Sequence, residues 1–172
     1  MLAVVAACGG ADKAAGPPNT LQRGISSDPE TLDQHKSRSI QAADVIRDLG
    51  EGLVGYSATG ELIPAAAQSW EISEDGLKYT FHLRDGLRWS NGEVLTASHF
   101  VAGMRRLVDP STAAFYAEML GDLENAAAIT SGDIPVSMLG VEAPDERTVV
   151  LRLVQQTPYL ISLMTHPSTF PI

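Results

Sequence analysis

Four residues near the N-terminus are of types that can bind metal ions. Asp28, Glu30, Asp33 and His35 follow one another as D-x-E-x-x-D-x-H. Carboxylate and imidazole groups are ligands for hard and borderline divalent cations. The spacing matches no established metal loop, however, and Asp28-Pro29 followed by Thr31 is typical of turn and capping chemistry. The pattern therefore favours a structured loop, and we expect no metal and no other cofactor.

Hydrolytic chemistry would need a nucleophile, a base and a group that orients the base. The four histidines, His35, His82, His99 and His166, are scattered along the sequence. The chain has no Gly-x-Ser-x-Gly elbow, and its single cysteine lies close to the N-terminus. His82 falls on the polar face of a predicted strand, and His99 falls in the first turn of a predicted helix. We therefore do not expect an enzyme.

The single cysteine, Cys8, lies in a sequence typical of lipid attachment. The apolar run Leu2 to Val5 and two small residues, Ala6 and Ala7, precede it. This order is similar to the lipobox of bacterial lipoproteins, in which the cysteine carries the lipid and becomes the first mature residue. The charged n-region of a signal peptide is missing, so residues 1–8 are expected to be part of such a signal. The alternative is a disordered N-terminus with an incidental cysteine.

Composition and charge limit the classes of partner. The chain has 172 residues, a formal net charge of −9 and no basic cluster longer than Arg105-Arg106. Phosphates would be repelled, which argues against a nucleic-acid partner. Residues 9–19 are small and rich in Gly and Pro, so they are expected to form a flexible tether. One cysteine allows no internal disulfide.

The candidate residues must be positioned by a regular central region, Pro64 to Phe100. Leu77, Tyr79, Phe81 and Leu83 alternate with polar residues, which predicts a half-buried strand. The turn residues 73–76 make residues 69–73 its antiparallel partner. This pairing puts Trp70 and Ile72 on the same apolar face as Tyr79 and Phe81. At strand spacing the aromatic side chains are expected in the core rather than in a sugar-binding platform.

Helices are predicted on either side of this region. Residues 39–49 carry an apolar stripe, and Thr96 is predicted to cap a helix whose buried face is Phe100, Met104 and Leu107. Further helices are predicted at 111–119, 123–130 and 159–164, and a second hairpin at 141–143 and 148–153. Strands that form hairpins and helices that follow in a block indicate an α+β fold with an antiparallel or mixed sheet.

The order of residues in the central region resembles a known family. WEISEDGLKYTFHLRDGLRWSNG, Trp70 to Gly92, is similar to the signature of the family-5 extracellular solute-binding proteins, which serve peptide and nickel ABC importers. The segments LDQHK, DLGEGL and RLVDPSTA resemble the members of this family that bind oligopeptides and murein peptides. The similarity extends from about Leu21 to the last residue.

The resemblance implies a periplasmic-binding-protein-like fold of type II with three domains. This chain would contain the first part of domain I, residues 20–50, and most of domain II, residues 51–172. It would then be the N-terminal fragment of a longer protein. The implied function is the capture of oligopeptides in the periplasm for ABC permease subunits, by a monomer anchored to a membrane through Cys8. The alternatives are an envelope or murein-peptide interaction module outside transport and a truncated fragment without function.

The resemblance also implies ligand contacts. In the relatives the stretch that corresponds to Arg38, Ser39 and Ile40 pairs its main chain with the bound peptide, and such backbone pairing accepts any peptide sequence. Arg38 stands where the relatives have a glutamate, and this charge reversal implies a preference for acidic or anionic peptides. Tyr116 matches a domain II tyrosine that faces the ligand. The alternatives are a solvated Arg38, an Ile40 that only starts a helix, and a Tyr116 partly buried on a helix face.

Overall fold

The computed structural model describes residues 23–172, which form helices and two antiparallel sheets. The helices are α1 (Ile40–Leu49), α2 (Ala97–Val108), α3 (Ala126–Thr130) and α4 (Leu160–Leu163). The strands are β1 (Val54–Tyr56), β2 (Leu62–Pro64), β3 (Ala67–Ile72), β4 (Lys78–Leu83), β5 (Val141–Asp145) and β6 (Thr148–Arg152). Single 3₁₀ turns lie at Pro110–Thr112, Ala117–Leu120, Val136–Met138 and Pro167–Thr169. The expected signal with Cys8 and the expected tether lie outside the described residues.

The main sheet has the strand order β3-β4-β6-β5, and β1 and β2 pair separately. Both predicted hairpins are confirmed, and the α+β class with them. Trp70 lies opposite Phe81 and Ile72 opposite Tyr79, as the alternation indicates. Phe81 and Tyr79 are buried, and Trp70 packs partly buried with its ring centroid 6.4 Å from that of Phe81. Ile72 shares this face but is 50% exposed, because it ends an edge strand.

Helix α2 covers the sheet and supplies much of the core. Phe100, Met104 and Leu107 are fully buried, so the predicted apolar stripe is confirmed. The helix begins after Thr96, whose backbone N–H donates to His99 Nδ1 at 3.0 Å. It ends at Val108, and the cap residue Asp109 precedes a proline that cannot continue the helix. This placement turns Arg106 on the last turn of α2 toward the N-terminal loop.

The helix predicted at 111–119 is wrong, and the helix predicted at 123–130 is confirmed only from Ala126 to Thr130. Ala113 has φ 51° and ends a single 3₁₀ turn, and the next turn begins only at Ala117. Asn125 has φ 67°, so the second helix starts at Ala126. Helix α4 is one residue shorter at each end than predicted. Tyr116 therefore lies in an irregular segment, not on a helix face as one alternative required.

Helix α1 packs on a second, smaller core. Ala42 and Ile46 bury against Phe170, separately from the main core. Phe170 belongs to residues 165–171, here called the strap, which crosses α2. Gly52 and Gly103 make room for it, because a Cβ would lie 2.7 Å from the Phe170 ring at Gly52 and 2.6 Å from its carbonyl oxygen at Gly103. In residues 23–172 we find no helix of the length and hydropathy needed to cross a bilayer.

Candidate functional site

The candidate site is the surface where the loop before α1, residues 30–39, meets residues 113–117 and the strap. Ser39 caps α1, and its Oγ accepts a hydrogen bond from Ala42 N at 3.1 Å. A short polar residue at this position is the usual way to satisfy the unpaired amides of a first helical turn. Ile40, the first helical residue, is 76% exposed. The cap thus fixes where the loop ends and leaves Ile40 facing solvent.

Glu30, at the start of the loop, fixes the main chain at the end of the same loop through hydrogen bonds. Its carboxylate accepts from Arg38 N at 2.7 Å and Ser39 N at 3.0 Å, and from the Ser39 hydroxyl. These hydrogen bonds, with that of the Ser39 hydroxyl the strongest, lower the pKa of Glu30 to about 2. The carboxylate is therefore ionised at neutral pH and fixes two consecutive amide groups.

The main chain of residues 36–39 presents hydrogen-bond acceptors rather than donors. Lys36 N and Ser37 N both donate to Asp33 O, at 3.0 and 2.9 Å. With Arg38 N and Ser39 N bound to Glu30, four successive donors are used inside the loop. The carbonyl oxygens of the exposed residues Lys36 and Arg38 accept no hydrogen bond from any residue in 23–172. Ligand N–H groups are the natural partners for such carbonyls.

Arg106 ties the loop to helix α2. Its guanidinium donates to both carboxylate oxygens of Asp33, at 2.8 and 2.6 Å, and lies 2.8 Å from His35 Nδ1. A guanidinium can only donate, so Nδ1 is the acceptor and the imidazole proton sits on Nε2, which donates to Ser168 O at 3.0 Å. Burial and the charge of Arg106 lower the pKa of His35 to about 4, and the hydrogen bond from Arg106 holds the pKa of Asp33 well below its ordinary value.

Three residues of the D-x-E-x-x-D-x-H pattern, Glu30, Asp33 and His35, have partners within the protein. Asp33 and His35 are committed to Arg106, and Glu30 is committed to the loop main chain. Across the part of the chain that the structure describes, no three His, Cys, Asp or Glu side chains converge on a point where they would hold an ion. The two acidic residues and the histidine therefore shape the loop.

An aromatic row continues the site beyond the loop. Phe115 N donates to His35 O at 3.0 Å, which places the Phe115 side chain beside the loop. The ring centroids of Phe115 and Tyr116 are 4.9 Å apart, and those of Tyr116 and His166 are 4.8 Å apart, both edge to face. The guanidinium carbon of Arg38 lies 5.9 Å from the Phe115 ring centroid. Arg38 and Tyr116 are thus joined through a residue that the sequence did not single out.

The predicted site residues differ in what they expose. Arg38 and Ile40 face solvent, and the Ser39 hydroxyl caps helix α1. Tyr116 is half-buried between Phe115 and His166. Phe115, at 57% exposed, is the aromatic residue that faces outward. Its position next to Tyr116 could have marked Phe115 as a candidate from the sequence. No sequence pattern, in contrast, predicts that Glu30 accepts hydrogen bonds from the amides eight and nine residues later.

A cavity of about 420 Å³ lies elsewhere, between α1, the strap and the turn that carries Trp89. None of Arg38, Ser39, Ile40 and Tyr116 lines it. Its walls include Leu49, Trp89 and Phe170. It belongs to the seam between α1 and the strap rather than to the candidate site.

Comparisons with known proteins agree on one family. The family model for the middle region of bacterial extracellular solute-binding proteins, family 5, matches residues 61–172. A probable deoxycholate-binding periplasmic protein of Escherichia coli is 45% identical over 148 residues, which cover 85% of this chain and 28% of that protein. The E. coli periplasmic oligopeptide-binding protein is 39% identical over 155 residues, which cover 89% of this chain and 28% of that protein.

Solved structures show the same fold. The Haemophilus influenzae OppA complex with the peptide RPPGFSPFR superposes with a TM-score of 0.83 at 44% identity, over 85% of this chain and 29% of that one. The murein tripeptide-binding protein MppA of E. coli gives a TM-score of 0.83 at 37% identity, over 86% and 29%. The chain thus spans less than a third of the length of the relatives it matches. With the matched region covering most of the described fold, the chain belongs to family 5 of the bacterial extracellular solute-binding proteins.

Proposed function

We propose that this chain forms one wall of the ligand cleft in an oligopeptide-binding protein that serves an ABC importer. The observation that carries this proposal is a pair of carbonyls, at Lys36 and Arg38, that accept no hydrogen bond from residues 23–172. The exposed ring of Phe115 belongs to a segment joined to the same loop, because Phe115 N donates to His35 O. A main chain that offers acceptors can pair with the N–H groups of an extended peptide of any sequence. Solved relatives with bound peptide share the fold that carries this loop.

The mechanism is capture without chemistry. In the proposed mechanism, residues 20–50 belong to domain I and residues 51–172 belong to domain II. A second lobe of the protein closes over the peptide by a hinge motion. Residues 38–40 and Tyr116 line the cleft, with Phe115 added from the geometry. Wet pockets around the side chains allow broad specificity, because bridging waters adapt to different partners. The closed, loaded protein then delivers its peptide to the permease, and no catalytic step is needed.

The location we propose is the periplasm or cell envelope. Periplasmic relatives support it, and the Leu2-to-Cys8 sequence supports attachment to a membrane through a lipid on Cys8. The proposed partners are the permease subunits of an ABC transporter, the peptide and the lipid anchor. A monomer suffices for this role.

Calorimetry on the full-length protein tests the proposal. A mixture of tri- to pentapeptides should bind with release of heat and saturate at one site. A matched titration with free amino acids should give no saturable signal, because one residue offers too few main-chain groups. The peptide assignment would be overturned if peptides gave no binding while a sugar or a metal ion did.

A second candidate ligand is deoxycholate. The observation that favours it is the 45% identity to a protein described as probably deoxycholate-binding. The exposed apolar groups of Ile40 and Phe115 next to the Arg38 cation would suit a rigid apolar body with one carboxylate. Deoxycholate binding that peptides cannot displace would favour this candidate. Absence of deoxycholate binding below its micelle-forming concentration would reject it.

A further inference from the structure

Arg38 stands apart from the other arginines of the chain. All nine arginines lie within residues 23–172. Eight of them bind a carboxylate or a main-chain carbonyl through their side chains: Arg23, Arg47, Arg84, Arg88, Arg105, Arg106, Arg147 and Arg152. The Arg38 guanidinium binds no carboxylate and no carbonyl of the described residues. Its five N–H donors are therefore available to a group that this part of the chain does not supply.

The surroundings of Arg38 hold it in place without neutralising it. Its main chain is fixed by Glu30, and its guanidinium lies 5.9 Å from the centroid of the Phe115 ring. A cation over an aromatic face is attracted by the ring, which reduces the number of positions the long side chain explores. The ring itself is 57% exposed, so a ligand can lie on it while it reaches the cation.

The acidic groups close to Arg38 already have partners. Glu30 accepts three hydrogen bonds from Arg38 N, Ser39 N and the Ser39 hydroxyl. Asp33 is held by both terminal nitrogens of Arg106. The remaining charged side chain of the loop, Lys36, is exposed and positive. An anionic ligand group at this loop would therefore lie near the cations of Lys36 and Arg38. The carboxylates of Glu30 and Asp33 already accept hydrogen bonds from protein donors.

We propose that Arg38 and Phe115 form a subsite for a ligand side chain that has an apolar stem and ends in a carboxylate, such as glutamate in a peptide. The stem would lie on the ring of Phe115, and the carboxylate would accept two parallel hydrogen bonds from the Arg38 guanidinium. The inference rests on the proposed function, since it names the side chain that this wall selects. The charge of Arg38 by itself indicates a preference for acidic peptides. The subsite adds the Phe115 ring beside the guanidinium, which would hold the apolar part of the ligand side chain.

The test compares glutamate with glutamine in otherwise identical peptides. Six tripeptides, with Glu or Gln at each position of a trialanine background, are titrated into the full-length protein. At one position the Glu peptide should bind about tenfold more tightly than its Gln partner, as expected for one charge-assisted contact. In Arg38→Gln this ratio should fall to about one, and in Phe115→Ala it should decrease without reversing.

The matched control removes a charge far from the site. Lys78→Gln on strand β4 changes the net charge by the same amount and should keep the tenfold ratio. A ratio of one in the unaltered protein, or a ratio that survives in Arg38→Gln, would overturn the subsite while peptide binding remained. If none of the six peptides bound, the proposed function would fail with it, and that outcome is distinct from equal binding of Glu and Gln.

Discussion

Single polar side chains set the shape of the candidate site. The Glu30 carboxylate accepts hydrogen bonds from two amides and a hydroxyl, and the Asp33 and His35 side chains accept hydrogen bonds from Arg106. Each of these interactions fixes main chain, and none of them needs to touch a ligand. The main-chain donors of residues 36–39 are thus used, while the carbonyls of Lys36 and Arg38 accept no hydrogen bond from the described residues.

Replacing Glu30 by glutamine should weaken ligand binding. The amide side chain keeps one acceptor oxygen but places an NH₂ group among three donors, so at least one of Arg38 N, Ser39 N and the Ser39 hydroxyl loses its partner. We expect affinity for a tripeptide, measured by calorimetry on the full-length protein, to fall about tenfold. Glu74→Gln, on an exposed turn, is the control. Equal affinities for both variants would contradict the role assigned to Glu30.

Stability should depend on pH through His35. In the unfolded chain this imidazole takes up a proton near pH 6.5, whereas in the folded chain it does so only near pH 4. Between these values the unfolded state binds more protons, so the free energy of unfolding decreases as the pH falls from 6.5 to 4, by on the order of 1–3 kcal/mol. Below pH 4 the loss continues, because the pKa values of Asp33 and Glu30 are lowered.

Denaturant unfolding at several pH values measures this dependence. His35→Gln should be less stable at pH 7, since a buried, hydrogen-bonded side chain is altered, but it should show a smaller change in stability between pH 6.5 and 4. His82→Gln, on the polar face of β4, should keep the slope of the unaltered chain. An unchanged slope in His35→Gln would show that other groups carry the acid sensitivity.

Elements with a strong periodic pattern could be predicted from sequence. Helices α1 and α2 and the two hairpins of the main sheet have apolar positions at helical or strand spacing, and the burial of Phe100 and Phe81 follows from it. The conformation of segment 111–119 and the start of the helix in segment 123–130 could not be predicted. Their helical composition is overruled at Ala113 and Asn125, where a positive φ turns the chain to meet the rest of the fold.

The candidate site shows the same limit. Tyr116 and the Arg38–Ile40 stretch were predicted from family resemblance, and their roles remain proposals. Glu30, which binds the main chain of Arg38 and Ser39, lies in a loop without a periodic pattern, and Arg106, which holds Asp33 and His35 of the same loop, is distant in sequence. Phe115 lay next to a predicted residue, but it follows an irregular turn at Ala113, so no helical or strand periodicity indicates which of the two neighbouring rings is exposed.

Gly103 on helix α2 should not tolerate alanine. Helix propensity alone predicts that Gly103→Ala stabilises the chain by about 1 kcal/mol. The added Cβ would lie 2.6 Å from the carbonyl oxygen of Phe170, so either the strap or the helix must move. We expect a net loss of about 1–3 kcal/mol in denaturant unfolding. A gain in stability would mean that the strap adapts without cost.

At the scale of the whole molecule, the described chain consists of two cores joined by polar contacts. Gln34 Nε2 donates to Phe170 O at 2.7 Å, and the Ser168 hydroxyl donates to Gln34 O at 3.1 Å. With the Asp33–Arg106 pair, these contacts attach the loop and α1 to the body of the protein. The candidate site lies across this junction, so its geometry depends on both cores.

The chain of 172 residues by itself should bind peptides weakly. It holds one wall of the proposed cleft and spans 28% of its oligopeptide-binding relative from E. coli. Contacts with one wall would not offset the entropy lost when a flexible peptide becomes ordered. We expect millimolar dissociation constants at best, measured by NMR titration with a tripeptide, against micromolar values for the full-length protein. A low-micromolar constant for this chain alone would contradict the need for a second lobe.

The Phe170 ring also has a consequence for the order of events during synthesis. Helix α1 and the loop before it are synthesised early. Phe170, whose ring packs on α1 and whose carbonyl accepts a hydrogen bond from Gln34, is 136 positions further along the chain than Gln34. Contacts this distant in the chain form late and slowly. In a nascent chain the apolar side chains of Ala42 and Ile46 would therefore lack their buried contact until Phe170 had been made, so helix α1 can complete its packing only after that point.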